Sequence, residues 1–167
     1  MKNKNLFGVL QGFFNFGTGI ITVGLVVVTI FGIVMNVITV ESFAGNIHVD
    51  NLEILNAISS PLTILALLVV IAILFVTFRQ ASKIFKELKE DRLFISDNVV
   101  RLKKIALLVG SLSVLSSLPS VAMNYVGVSS ELYLFDFGYF FTGLIIFAFS
   151  KVWERANEIA EENEFTI

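Results

Sequence analysis

RQASKIFKELKEDRLFISDNVVRLKK, residues 79–104, holds eight of the chain's twelve Lys and Arg residues. Long uncharged stretches lie on both sides: one ends at Phe78 and the other follows Lys104. The chain has 167 residues, enough for one domain (1–167). It is 56% hydrophobic and 16% charged, whereas soluble domains run at about 45–50% and about 25%. The net charge of −2 says little, because the two signs are segregated along the sequence. Cysteine is absent, which removes a disulfide framework, a thiol nucleophile and a thiolate metal site.

Crossing a bilayer core takes about 20 apolar residues in a helix. Four stretches read as spans: about 17–40, 61–78, 102–123 and 135–153. They are apolar on every side, where a helix in water would keep a polar face. The expected fold is an all-α integral membrane four-helix bundle. Ser60 before Pro61 reads as an N-cap with proline in the first turn. Ser96 is the expected cap of the third helix, with Asp97 in its first turn and Ile95 and Val100 as a hydrophobic staple. Tyr133, Phe135, Phe137, Tyr139 and Trp153 mark the ends of the fourth span, at headgroup level.

The bases fix the expected orientation. Lys2 and Lys4 precede the first span, Lys151 and Arg155 close the fourth, and the other eight lie in 79–104. Bases flanking spans stay on the cytoplasmic side. Both termini, the loop 79–101 and the tail 154–167 are therefore expected there, in a multi-pass protein of the cell membrane. The first apolar run exceeds the roughly 7–15 residues of a signal peptide, and SFAG at 42–45 is a poor cleavage site, so the span is read as retained. Leu6–Phe16 reads either as an interfacial helix, with a bend at Gly17 and Gly19, or as an extension of the first span. The Gly8/Gly12 pair has GxxxG spacing, a short and common pattern.

Within the loop, Ile84, Phe85 and Leu88 form an apolar stripe among Lys83, Lys86, Glu87, Lys89 and Glu90, so helix is expected to continue out of the second span. The bland reading sets these bases against anionic headgroups, at about 1 kcal/mol each; the sharper one makes the loop a docking surface. Mixed charge and the lack of a recognition motif argue against direct nucleic-acid contact. The tail carries five Glu and one Arg, and acids there oppose the helix macrodipole. It is expected to lie against the basic loop.

Other polar groups support bland roles. Asp136 reads as an anchor at the outer end of the fourth span. Asn36 reads as an interhelical hydrogen-bonding group. Gly110, Ser113, Ser117 and Ser120, broadened by Ser116, read as a packing seam, with a permeation lining as the alternative. His48 beside Asp50 makes no ligand set. No catalytic, cofactor or metal residues are assigned, and no nucleophile, zinc or phosphate motif is present.

FISDNVVRLKKIA at 94–106 resembles the loop-to-helix signature of domain-of-unknown-function family 2975, through Phe94, Asn98, Arg101, Leu102 and Ile105. EIAEENEFTI resembles that family's acidic ending, through Glu161, Glu162, Phe165, Thr166 and Ile167. Asp91-Arg92-Leu93 departs from the pattern, since relatives place Gly and a small residue or Pro before the Phe. The resemblance implies a small bacterial four-span protein without an established activity. It also implies an association with small helix-turn-helix regulators. The candidate partner-binding residues are Phe94, Asn98, Arg101, Lys104, Glu161, Glu162 and Thr166. The expected role is non-enzymatic: holding or regulating a cytoplasmic partner, with the lipid bilayer around it and homo-oligomers left open. The alternative is a transport-related or peptide-immunity protein.

Overall fold

A computed structural model describes residues 4–37 and 52–164. Lys2, the end of the first span at Val40, His48, Asp50 and residues 165–167 lie outside the described residues. Every regular element among those described is a helix. They are α1 (Lys4–Val37), α2 (Leu52–Ser59), α3 (Pro61–Lys89), α4 (Ser96–Leu115), α5 (Leu118–Tyr125) and α6 (Phe137–Glu164).

The helices lie in a row. α1 packs on α3, α3 on α4, and α4 on α6, while α5 turns back onto α3. Three stretches are long and apolar enough to cross a membrane: Lys4–Val37, Pro61–Lys89 and Ser96–Tyr125. Their apolar side chains point outward, with Val23 63%, Ile33 62% and Leu107 72% exposed. Such surface suits an apolar solvent. α6 is not among the three, because its uncharged stretch Phe137–Ser150 has only fourteen residues. At 1.5 Å per residue that covers about 21 Å of a core about 30 Å thick.

α1 is one unbroken helix, so residues 6–16 continue the helix of the first apolar stretch without a break at Gly17 or Gly19. Gly17 instead meets the Phe78 ring, and Gly32 meets Ile64. α2 occupies the end of a stretch read as loop; Glu53 favours its N-terminus and Ala57 is buried. α3 starts as expected: the Ser60 hydroxyl accepts from Thr63 N–H at 3.2 Å, with Pro61 in the first turn. It continues without a break from the apolar stretch into the basic one.

α4 starts differently. Ile95 is the N-cap, in extended conformation and without a side-chain bond, and Ser96 is already helical. Val100 is 62% exposed and closes no staple. The stretch 102–123 is two helices, because Pro119 lacks an N–H and its ring crowds the carbonyl four residues earlier. The chain turns at Ser116–Ser117, where Ser117 N–H bonds to Val114. That leaves the Ser113 carbonyl without its i+4 donor, and Asp136 N–H takes it at 2.7 Å. The Asp136 carboxylate accepts from Gly138 and Tyr139 N–H at 2.7 and 3.2 Å, which caps the α6 N-terminus.

Gly110 and Ser113 belong to the seam as expected: a Cβ on Gly143 would sit 2.8 Å from the Gly110 backbone, and Ser113 and Ser117 are buried. Asn36 bonds instead to the Gly32 carbonyl of its own helix, at 2.7 Å. Ser82 does make an interhelical hydrogen bond, donating to Asn15 Oδ1 at 2.5 Å. A cluster of buried apolar residues lies at the basic end. There Ala81, Ile84, Leu88 and Ile105 are buried under Phe7, Phe14, Phe85, Leu102 and Trp153. The expected stripe is therefore the inner face of α3.

Candidate functional site

The charged end is built around the α3–α4 turn. At the end of α3, Asp91 N–H bonds to the Leu88 carbonyl and Arg92 N–H to the Glu87 carbonyl. This is a Schellman motif with Asp91 left-handed at φ 63°. Glycine is the usual residue there because it has no Cβ to crowd the following carbonyl. Asp91 holds the position while pairing with Lys4 at 2.8 Å. The tight turn therefore forms despite the departure at Asp91-Arg92-Leu93.

Asn98 latches the turn. It is fully buried, donates to the Arg92 carbonyl at 3.3 Å and accepts from Arg101 at 3.0 Å. Arg101 also donates to Asp97 at 3.1 Å and lies 3.7 Å from Glu87. Glu87 Oε2 is 2.8 Å from the Arg92 guanidinium, without hydrogen-bond alignment. Arg92 also reaches Glu90. These contacts give Asn98 and Arg101 an internal, positioning task.

α6 closes on this turn. Trp153 Nε1–H donates to the Leu93 carbonyl at 3.1 Å. Lys103 Nζ is 2.5 Å from Glu154, which also takes Lys151 at 2.9 Å. The hydrogen bond from Lys103, then that from Lys151, holds the Glu154 carboxyl below the usual carboxylate range. Arg155 pairs with Glu158 at 2.7 Å, which raises its pKa. The tail thus meets the 79–104 segment through Lys103 and Leu93, near the base of the tail.

Other candidate residues remain accessible. Phe94 is 55% exposed, beside an apolar recess lined by Leu93, Phe149, Val152, Trp153 and Ala156. Lys104, Glu161 and Glu162 are exposed, and Thr166 lies outside the described residues. Sequence reasoning missed Lys103, Trp153 as a tether, and Asn157, which is buried beside Glu154 and Glu158. The signal for Asn157 was its place one turn beyond Trp153 on α6. Among the described residues, no three His, Cys, Asp or Glu side chains converge on a metal position.

A family model described as protein of unknown function, DUF2975, matches residues 44–167. That is 124 of 167 residues, and it includes both stretches that carried the resemblance. The chain belongs to this family. All of α1 and the residues before it lie outside the matched segment. No curated protein and no solved structure matches the chain.

Proposed function

We propose that this DUF2975 family member is a non-enzymatic four-span protein of the cell membrane that binds a cytoplasmic protein partner through its charged end. The supporting observation is the Trp153–Leu93 tether, which joins loop and tail segments into one surface with Phe94 exposed beside it. α6 serves as the fourth span. Exposed apolar residues Leu132–Phe135 extend its apolar surface at one end. At the other end Lys151 lies 5.9 Å from the Phe147 ring, and its stem covers apolar surface while the amine reaches the headgroups. All bases then lie on the cytoplasmic side with both termini. Asn98 and Arg101 shape the surface; Phe94, Lys104 and the tail touch the partner. The association with helix-turn-helix regulators that the resemblance implies makes a DNA-binding protein the first partner to test.

The test is a pull-down from solubilised membranes, comparing the wild-type chain with Phe94→Asp and Lys104→Glu. Loss of one cytoplasmic protein supports the reading, and an unchanged partner set overturns it. A reporter fused after Ile167 that is active outside the cell overturns the topology. A solute-handling reading rests on the cavity of about 480 Å³ between α4 and α6. Its lining is apolar apart from Lys103 and Ser113, so it lacks the polar path a permeating solute needs.

A further inference from the structure

Two charged stripes at this end are opposite in sign and alike in spacing. Arg79, Lys83 and Lys86 are exposed at i, i+4 and i+7 on α3, opposite buried Ala81, Ile84 and Leu88. Glu154, Glu158 and Glu161 have the same spacing on α6. Both helices leave their apolar stretches toward the same side, and each stripe starts where that stretch ends. Within one chain the stripes do not meet, because α4 stands between α3 and α6 in the row. Among the described residues no carboxylate lies within ion-pair distance of Arg79, Lys83 or Lys86, and none of the bases pairs with Glu161.

The acidic stripe lines a groove of about 190 Å³ together with Ser96, Val100 and Lys103 of α4. Asn157 also lines it, is only 6% exposed, and buries an Oδ1 that has no donor among the described residues. Buried acceptors are nearly always satisfied, so this one lacks a donor that an arriving N–H supplies once the amide turns into the groove. A cationic side chain supplies that donor and meets Glu161 beside it.

We propose that the groove receives the α3 basic stripe of a second copy, with a Lys83 or Lys86 ammonium donating to Asn157 Oδ1 and pairing with Glu158 and Glu161. The bilayer holds every copy at one depth, so parallel α3 and α6 of neighbouring copies meet in register without a search along the helix axis. The contact joins different patches on the two copies, which makes it head-to-tail. It goes beyond the partner-binding reading and stands or falls separately from it.

The chain has no cysteine, so paired single-cysteine copies report the contact cleanly. One tagged full-length chain carries Lys83→Cys and a differently tagged chain carries Glu158→Cys; both are co-expressed in membranes and oxidised. A mixed dimer is expected at least fivefold above a control pair of Lys83→Cys with Tyr125→Cys. Adding Lys86→Glu to the first copy should cut the yield at least fivefold. Adding Glu161→Lys to the second should restore it, which a misfolded variant would not allow. Asn157→Leu should lower it with the folded fraction unchanged. A yield no higher than the control, or one blind to the charge swaps, overturns the proposal. So does a Lys86→Glu effect seen only in vesicles containing phosphatidylglycerol and absent in phosphatidylcholine alone, which would assign the stripe to anionic lipid.

Discussion

The indole N–H of Trp153 donates to the backbone carbonyl of Leu93 at 3.1 Å, across sixty positions of sequence. It fixes the last helix to the turn between the second and third long helices. Trp153→Phe keeps an aromatic ring against Phe149 and removes the donor. A net hydrogen bond is worth about 0.5–1.5 kcal/mol, and a loss of that size is expected in detergent-solubilised thermal unfolding followed by circular dichroism. An unchanged midpoint would mean the bond is idle.

Asn98→Ala leaves the Arg92 carbonyl without the Asn98 amide and Arg101 without one acceptor. The side chain is fully buried, so the cost should be about 1–3 kcal/mol. Lys104→Ala, on the exposed side of the same helix, should stay within about 0.5 kcal/mol. Equal effects on the same unfolding scale would refute the latch.

Gly143→Ala places a methyl 2.8 Å from the Gly110 backbone, which cannot rotate away. Separation of α4 and α6 is expected to cost about 1–3 kcal/mol. Gly12→Ala meets nothing within 4 Å and should be neutral or slightly stabilising, since alanine is the better helix former. If Gly12→Ala proved the more damaging, the seam would be misplaced.

Asp91→Gly removes the left-handed strain but loses the Lys4 pair, an exposed contact worth about 0–1 kcal/mol. Asp91→Ala loses the pair and keeps the strain. The expected stability order is Gly at or above Asp, with Ala lowest. Ala matching Gly would show that backbone conformation does not limit this turn.

Glu154 has its carboxyl held low by Lys103 and then Lys151. Its folded-state pKa lies below its unfolded one. Its contribution is therefore complete above the usual carboxylate value of about 4.3 and is lost as pH falls through the depressed value. Trp153 is the only tryptophan, and its fluorescence should hold steady from neutral pH to about 5, then change only below about 4. A transition between about pH 6 and 7 would point to another group.

Charge-free runs and the Ser60-Pro61 start were legible because span length and capping are local properties. The Ile84, Phe85 and Leu88 stripe was legible because charged residues flank it and set off its helical periodicity. Asn98 was visible as part of a signature, but not as a buried latch, since its partners are set by the path of the turn. Gly143 was hidden because Gly110, which it meets, is distant in sequence. Asn36 was assigned to a neighbouring helix because nothing in its local sequence excludes bonding back to Gly32. The break after Leu115 had a local sign in Pro119, yet the continuous hydropathy of 102–123 masked it.

α3 runs as one rod of 29 residues, about 43 Å long at 1.5 Å per residue. A rod of that length is a lever. Leaning it by about 10° about its Ser60 end sweeps the Lys89 end sideways by about 7 Å, simply from the helical rise. With α3 as a membrane span, as proposed above, a change in bilayer thickness that alters its lean becomes lateral travel of the basic side chains.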